Sequence, residues 1–184
     1  RVLSAAEAQF LLAEGAVEGW AMGGTAQEFY EKGITLSLTE PRIAADAGTI
    51  AAYINSDNTP SDVSYSFKPE WNIAASSNIP VAFMTGGTKE QQLEQIGTQK
   101  WIAIYPDGWE AWAELRRTNY PKPYPRLNSD NEFVPADVVM PRLVFVQGEY
   151  SNNSEAVLAA EKFPELVGGN LNSTKLWWDA KSDD

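Results

Sequence analysis

Residues 88–121 constrain the fold of this chain more than any other part of the sequence. Thr88 and Gln91 form a capping box, in which two side chains bond the free backbone N–H groups at a helix start. A Pro-Asp-Gly turn ends that helix, and Asp107 with Glu110 forms a second capping box. Because so short a connection makes consecutive helices run antiparallel, the segment predicts a helical hairpin.

A second helical hairpin is predicted over residues 4–40. Ser4 with Glu7, and Thr25 with Glu28, form two further capping boxes. Apolar residues at helical spacing follow each cap. The glycines of the sequence WAMGG are predicted to end the first of these helices.

Both hairpins match, in part, the spacing of large and small residues in tetratricopeptide repeats. In the first hairpin the matching positions are Phe10, Ala13, Val17, Ala26, Tyr30 and Gly33. In the second they are Leu93, Ile96, Gly97 and Pro121. The positions that depart from the repeat are Glu14, Ala113 and Arg116. We therefore predict an all-α fold of degenerate tetratricopeptide-like helical hairpins with long irregular loops.

The segments outside the hairpins are predicted to be mostly irregular. Residues 46–55 favour a short helix, whereas the loop region 56–87 is rich in Ser, Asn, Asp and Pro, which favour turns. Long loops in compact domains tend to carry function, and this one contains Tyr65 and Trp71. The second hairpin is predicted to end at residue 120.

The C-terminal region 121–184 is interrupted by prolines and is also predicted to be irregular. Asn152 and Glu155 predict the cap of one last helix, which ends near Phe163. The sequence VVMPRLVFV is rich in β-branched residues, but Pro141 limits it to a short edge strand at most.

The composition excludes several classes of function. The formal net charge of −11 argues against binding to nucleic acid or to an anionic membrane, because both require basic residues. The chain has no Cys and no His, which excludes Ser-His-Asp and Cys-His catalysis and metal sites with thiolate or imidazole ligands. Asn128, Asp130 and Glu132 alternate as in a calcium loop, but the glycine and the final glutamate are missing. No metal or other cofactor is predicted.

Three stretches of the sequence resemble a known family. QKWIAIYPDGWEAWAELRRTNYP and the closing KLWWD are similar to the C-terminal region of SusD/RagB-like proteins, the surface nutrient-binding lipoproteins of Bacteroidetes. MPRLVFVQGEYSNN resembles another element of the family, with Leu143 in place of an arginine. The resemblance runs from Leu3 to Trp178. It implies that residues 1–184 are the C-terminal part of a SusD-like domain, a fragment of its α-α superhelix.

The resemblance also implies a function. SusD-like proteins hold oligosaccharides at the outer membrane for import through a SusC-like TonB-dependent transporter. We therefore expect a non-enzymatic, carbohydrate-binding protein of polysaccharide utilisation and nutrient uptake, whose partners are an oligosaccharide and such a transporter. We also expect it to be surface-exposed and lipid-anchored through a cysteine upstream of Arg1, where a signal peptide would end.

Trp71, Asn72 and Tyr65 are the predicted ligand-binding residues, because aromatic rings cover the apolar faces of sugars and these three lie in the long loop. The tryptophans predicted to lie in or near the core are Trp20, Trp101, Trp109 and Trp112. The residues predicted to serve the structure are Trp101, Glu110, Trp112, Arg116, Arg117, Arg142, Trp177 and Trp178.

Two other classes of function remain open at this point. Glu110 and Glu114 are spaced to lie on one helix face, so an all-α glycoside hydrolase with a carboxylate pair is one alternative. We expect instead that these carboxylates pair with Arg116, Arg117 or Lys100 across the hairpin. The other alternative is a helical-repeat scaffold that binds a protein partner.

The two adjacent arginines carry a separate expectation. Side chains at neighbouring positions of a helix point in different directions, so Arg116 and Arg117 are poorly placed to bind one anionic ligand together. We expect one of them to be substantially buried, with carboxylate or carbonyl partners that fasten the chain after Pro121 to the hairpin.

Overall fold

The computed structural model of the protein describes residues 3–179. The fold is all-α, as predicted: these residues form seven α-helices and no β-strand. The helices are α1 (Ala5–Val17), α2 (Ala26–Leu38), α3 (Ala47–Ile54), α4 (Lys89–Ala103), α5 (Gly108–Thr118), α6 (Gln147–Asn152) and α7 (Ser154–Ala160). The chain divides into two compact units, of which the first ends at Tyr124 and the second begins at Pro125.

The predicted helix starts are present in the first unit. Ser4, Thr25 and Thr88 each accept the backbone N–H three residues later, and the Glu or Gln at that position bonds back to the cap residue. At the start of α5, Asp107 accepts the N–H of Glu110 at 3.1 Å, which is half of the predicted capping box. These bonds satisfy donors that a helix start otherwise leaves unpaired.

Helix α1 ends at Val17, before the glycines that were predicted to end it. Gly19 adopts a φ of 85°, in the left-handed region that glycine enters without steric cost, and the helical path stops there. Trp20 therefore lies beyond the helix and is 66% exposed, so its predicted place in the core is wrong.

Trp101 and Trp109 were also predicted to lie in or near the core, but they are 42% and 71% exposed. The buried positions of α4 and α5 include Ile96, Lys100, Ala103, Glu114 and Thr118, which lie on other faces of these helices. Trp112 is half-buried and packs edge-on against Trp109, with ring centroids 5.8 Å apart. The prediction failed because charged residues form part of this core, and apolar periodicity does not detect them.

Helices α1, α2 and α4 pack together around the core of the first unit. Phe10 of α1 and Tyr30 of α2 are fully buried, and their ring centroids lie 6.1 Å apart at an angle of 74°. The close approach of these two helices depends on Gly33. A Cβ atom at that position would lie 2.8 Å from two carbon atoms of the Phe10 ring.

Gly33→Ala is expected to lower the free energy of unfolding by about 1–3 kcal/mol, the usual cost of overpacking a core. Because Phe10 is fully buried, its ring has no free space to enter, and α1 and α2 must move apart. Gly148→Ala is the matched control, since position 148 of α6 faces open space and alanine favours helices. Urea denaturation measures both variants, and a Gly33→Ala protein as stable as wild type would contradict this packing argument.

Two buried side chains hold the end of the loop region 56–87 against the helices. Tyr30 donates its hydroxyl to the Val81 carbonyl at 2.6 Å, and burial raises the pKa of this phenol well above its ordinary value. Gln95 of α4 forms hydrogen bonds with three backbone groups of residues 80–84. This part of the loop region is therefore fixed by side chains, without regular secondary structure.

The second unit contains two short helices where one was predicted. Helix α6 ends at Asn152, and Asn153, with φ −144° and ψ 39°, interrupts the helical path before α7. Asn153 makes no side-chain cap bond to α7, so the predicted cap of Asn152 with Glu155 is wrong. The hydroxyl of Tyr150 in α6 bonds to Glu161 after α7, which ties the two helices together across the break.

The sequence VVMPRLVFV forms no strand and is held by side-chain contacts. Pro141 and Arg142 are buried, and Nη1 of Arg142 donates to Oδ1 of Asn170 at 2.9 Å. The guanidinium carbon of Arg142 lies 5.1 Å from the centroid of the Phe145 ring. Asn172 donates to the backbone carbonyl of Arg142 at 3.2 Å. Arg142, one of the predicted structural residues, is therefore the centre of a buried contact set in the second unit.

Candidate functional site

Three exposed aromatic rings lie together in the loop region 56–87. Tyr65, Phe67 and Trp71 form this group, which we call the aromatic cluster. The ring centroids are 5.7 Å apart for Tyr65 and Phe67, and 6.2 Å apart for each pair that includes Trp71. All three pairs meet at 77° to 87°, the edge-on geometry that aromatic pairs favour.

The loop that carries the aromatic cluster is closed by backbone pairing. Val63 and Ile73 exchange two N–H to carbonyl hydrogen bonds, of 2.9 and 3.0 Å, in an isolated antiparallel bridge. Between them, Asn72 Oδ1 accepts the backbone N–H of Tyr65 at 2.7 Å, and a 3₁₀ turn covers Pro69–Trp71. The three rings are thus held in place by hydrogen bonds within the loop.

Asn72, a predicted ligand-binding residue, has a defined role within this loop. Its side-chain oxygen holds the backbone of Tyr65, and so it positions the ring of that residue. Tyr65 and Trp71, the two other predicted ligand-binding residues, are brought together with edge-on ring contact. Direct contact of these three residues with a ligand stays a prediction.

A lysine lies over one ring of the aromatic cluster. Nζ of Lys68 is 4.4 Å from the centroid of the Trp71 ring, within the range of a cation–π interaction. Oε1 of Glu70 lies 3.8 Å from the same Nζ and compensates its charge. Because both charged side chains are largely exposed, this ion pair contributes little to stability. The lysine nevertheless occupies space above the indole ring.

Phe67 and Lys68 were not predicted as site residues. Phe67 is the most exposed ring of the aromatic cluster, at 73%. A signal was present in the sequence, because Phe67 and Lys68 lie in the long polar loop between the two predicted aromatic residues, Tyr65 and Trp71.

Two cavities lie elsewhere in the first unit. The larger has a volume of about 440 Å³, and its charged lining residues are Glu7, Glu40, Asp107, Glu110 and Arg42. The smaller has a volume of about 230 Å³ and is lined by Tyr53, Pro80 and Gln99, among others. Neither lining includes the aromatic cluster. The excess of carboxylates makes the larger cavity unfavourable for an anionic ligand.

Glu110 and Glu114, the candidate hydrolytic pair, have different surroundings. Glu110 lines the larger cavity, whereas Glu114 is 3% exposed. Oε2 of Glu114 accepts from Nζ of Lys100 at 2.8 Å, and its Oε1 accepts from Nη2 of Arg117 at 2.7 Å. Both oxygens of Glu114 are engaged in ion pairs between side chains, which is the arrangement of a structural carboxylate.

Glu114 belongs to a charged network that links α1, α4 and α5. Lys100 of α4 is 2% exposed, and its Nζ also lies 3.8 Å from Oε1 of Glu7 in α1. Arg117 of α5 forms two hydrogen bonds of 2.6 Å with the carboxylate of Glu14 in α1. Glu14 is the position at which the tetratricopeptide repeat has glycine, and this ion pair gives the glutamate a structural role. We call these five residues the charged network.

The prediction that one of the two adjacent arginines is substantially buried, with carboxylate or carbonyl partners, is met only in part. Arg117 has the predicted carboxylate partners, but its side chain is 44% exposed because it reaches Glu14 at the surface. Arg116 is half-buried, and its guanidinium carbon lies 4.0 Å from the centroid of the Trp112 ring. The buried cation of this hairpin is Lys100, one of the residues expected to pair with the carboxylates Glu110 and Glu114.

Known proteins resemble this chain in both sequence and structure. A model of the SusD-like family, described as SusD and RagB outer membrane lipoprotein, matches residues 1–179. The chain belongs to the SusD-like family. This membership confirms the resemblance of the second hairpin and of the closing KLWWD to SusD/RagB-like proteins.

Solved SusD-like structures resemble the chain over nearly its whole length. A chitin-binding SusD homologue from Flavobacterium johnsoniae is 37% identical with a TM-score of 0.83, over 98% of this chain and 37% of that protein. A SusD homologue from Bacteroides ovatus ATCC 8483 is 38% identical with a TM-score of 0.86, over 98% and 38%. A SusD-like protein from Bacteroides thetaiotaomicron VPI-5482 is 37% identical with a TM-score of 0.86, over 99% and 37%.

This SusD-like chain spans only 37–38% of the length of these solved relatives. A search among curated proteins found no match.

Within residues 3–179 of the SusD-like chain, no group of three or more acidic side chains is placed to hold a metal ion. No helix in this part of the chain is long and apolar enough to span a membrane. Asn128 and Asp130, whose spacing resembles part of a calcium loop, bond to each other at 3.1 Å. Trp177 and Trp178 are 77% and 38% exposed, and their structural role stays a prediction.

Glu114→Gln is expected to destabilise the SusD-like chain at about pH 7 and much less at about pH 3. Burial disfavours the charged carboxylate, but hydrogen bonds from Arg117 and Lys100 outweigh it and hold the pKa of Glu114 below its ordinary value. Because the folded-state pKa lies below the unfolded-state value of about 4.3, this group stabilises the fold above that pH. The contribution disappears as the pH falls through the folded-state pKa.

Denaturant unfolding of wild type and Glu114→Gln at several pH values measures this contribution. Carboxylates outside the charged network have the same surroundings in both proteins, so the pH dependence of the difference between the two unfolding free energies reports on Glu114 and this network. A difference that stays constant across the acidic range would show that the carboxylate charge of Glu114 adds nothing to stability.

Proposed function

We propose that the protein containing this chain is a non-enzymatic, lipid-anchored glycan-binding protein on the surface of the outer membrane. It holds an oligosaccharide for uptake by a SusC-like TonB-dependent transporter, and residues 1–184 form the C-terminal part of its SusD-like domain. Its role is nutrient capture in polysaccharide utilisation.

The observation that carries this proposal is the similarity to SusD homologues that bind a polysaccharide. The Flavobacterium johnsoniae homologue binds chitin, and a second chitin-binding protein is 31% identical over 97% of this chain with a TM-score of 0.67. The family is described as one of outer membrane lipoproteins, which supports the proposed location. A glycan ligand is therefore the chemistry most consistent with the relatives of this chain.

We place the contribution of this chain to glycan binding at the aromatic cluster. Sugars present a face of C–H groups that packs against aromatic rings, and Tyr65 and Trp71 are each 39% exposed in a loop held by hydrogen bonds. These rings lie outside the apolar core, so packing of the fold does not account for their grouping. The engagement of both Glu114 oxygens in ion pairs favours binding over hydrolysis by the Glu110 and Glu114 pair.

Binding and cleavage assays on the full-length protein test the proposed function. We expect the pure protein to be retained on at least one immobilised polysaccharide, to release no reducing ends from it, and to co-purify with a large β-barrel transporter from outer membranes. Release of reducing ends would instead support the glycoside hydrolase alternative. Failure to bind any polysaccharide of a broad panel would contradict the proposed function.

Trp71→Ala is expected to weaken glycan affinity by about threefold while the melting temperature stays nearly unchanged. A half-exposed loop aromatic contributes to a ligand surface without supporting the core. Trp20→Ala is the matched control, because Trp20 is also an exposed tryptophan outside a helix and lies outside the aromatic cluster. Calorimetric titration and thermal melting measure both quantities. Unchanged affinity in Trp71→Ala would place the glycan site elsewhere in the full-length protein.

A further inference from the structure

The three rings of the aromatic cluster are not equally available to a ligand. Phe67 is 73% exposed, whereas Tyr65 and Trp71 are each 39% exposed. Phe67 meets the other two rings at 77° and 81°, and these contacts leave most of its surface in solvent. It is the largest free aromatic surface in the loop.

The face of Trp71 is less available than its exposure suggests. Nζ of Lys68 lies 4.4 Å above the ring, and a sugar that stacked on the same face would have to displace this ammonium group. Tyr65 and Phe67 also pack against the indole at close to right angles. Trp71 is thus contacted by Lys68, Tyr65 and Phe67, and this geometry suits a residue that supports the other two rings.

We propose that Phe67 provides the main stacking face for a sugar ring, and that Trp71, covered by Lys68, positions Phe67. This inference rests on the proposed glycan-binding function and assigns its main contact to a residue outside the predicted site. Asn72 acts indirectly, because its side-chain oxygen holds the backbone of Tyr65 within the same loop.

The charges of the loop indicate the class of sugar. Lys68 and Glu70 compensate each other at 3.8 Å, and the remaining charged side chains of residues 57–77 are Asp57 and Asp62. The loop thus carries a net negative charge, and the whole chain has a formal net charge of −11. Uronic acids and sulfated sugars are repelled by such a surface. The cluster therefore suits a neutral glycan, whose ring presents C–H groups to Phe67.

Substitutions at Phe67 in the full-length protein test this assignment, with a neutral chito-oligosaccharide as the first probe and a panel of other neutral glycans beside it. Phe67→Ala is expected to weaken affinity by about tenfold, more than Trp71→Ala does. Phe67→Tyr retains a ring face and is expected to bind within about twofold of wild type, whereas Phe67→Leu keeps apolar bulk and is expected to resemble Phe67→Ala. Phe163→Ala, another exposed phenylalanine, is the control.

The possible outcomes test the assignment of Phe67, the stacking contact, the roles of the two rings and the proposed function separately. If wild type binds a neutral glycan and Phe67→Ala binds it equally well, the assignment of Phe67 is overturned while the proposed function stands. Equal affinities of Phe67→Leu and wild type would overturn stacking as the mode of contact. A larger loss in Trp71→Ala than in Phe67→Ala would reverse the roles of the two rings. If wild type binds no glycan, the proposed function itself fails, and this inference fails with it.

Discussion

Lys100→Met is expected to lower the free energy of unfolding by up to about 3–5 kcal/mol, the usual cost of breaking a buried ion pair by removing one member. Lys100 is 2% exposed and bonds Glu114, itself 3% exposed, at 2.8 Å. Methionine keeps the length of the side chain but removes its charge, so Glu114 retains only Arg117, and Glu7 loses its nearby cation.

Lys89→Met is the matched control for this prediction, because both lysines lie on α4 and pair with a glutamate. Lys89 contacts Glu18 at 2.7 Å, but its side chain is 53% exposed, and an exposed pair of this kind contributes only about 0–1 kcal/mol. Equilibrium denaturation of the two variants gives the comparison. Equal, small losses in both would show that Glu114 is stabilised without Lys100.

The double variant Lys100→Met, Glu114→Leu separates the value of the ion pair from the cost of breaking it. Replacing both members with apolar residues removes the buried Glu114 carboxylate that Lys100→Met leaves without its lysine, so the double variant is expected to be more stable than Lys100→Met alone. Arg117 keeps its two hydrogen bonds to Glu14 in that protein. A double variant less stable than the single one would indicate that the charged network stabilises the fold outright.

Gln95→Leu is expected to lower the free energy of unfolding by about 3 kcal/mol, because it leaves buried backbone groups without partners. Oε1 of Gln95 accepts the N–H of Met84 at 2.9 Å, and its Nε2 donates to the carbonyls of Pro80 and Ala82 at 2.8 Å each. Gln95 is 1% exposed, so water cannot replace these bonds in the folded state. Leucine preserves most of the volume, and the effect therefore reports the lost hydrogen bonds.

Gln92→Leu is the control, since Gln92 lies one turn earlier on α4 and also bonds the same segment. It donates to the Met84 carbonyl at 2.9 Å but is only half-buried, so water can take its place and a loss of about 1 kcal/mol or less is expected. Amide hydrogen exchange adds a local readout, because the N–H of Met84 should exchange faster in Gln95→Leu. Unchanged protection at Met84 would contradict the anchoring role of Gln95.

The starts of the helices were the most predictable part of the fold. Each capping box joins residues three positions apart, and the bonds at Ser4, Thr25 and Thr88 are present as predicted. The end of α1 was less predictable, since several glycines follow it: Gly19 and Gly23 both have a φ of 85°, and the helix ends before the first of them. The break between α6 and α7 at Asn153 was not predicted either. It is accompanied by a hydrogen bond from Asn170 to the hydroxyl of Tyr150, a contact that helical spacing does not reveal.

The candidate site was predictable only in part. The long polar loop and its aromatics Tyr65 and Trp71 are visible in the sequence, and so is the family motif. The order of exposure within the cluster was not, because it depends on the bridge between Val63 and Ile73 and on the position of Lys68 over Trp71. Sequence spacing carries no information on which ring a neighbouring side chain covers.

The sequence by itself determined where the helices begin, that the fold is all-α, and to which family the chain belongs. These properties depend on bonds within one helical turn and on motifs of adjacent residues, which remain readable without a structure. The tertiary structure decided which helix faces are buried and which loop side chains are free. Pairs such as Lys100 with Glu114, or Arg117 with Glu14, join residues on different helices. The burial of Lys100 and Glu114 follows from packing, because a charged side chain enters a core only where a partner from another element meets it.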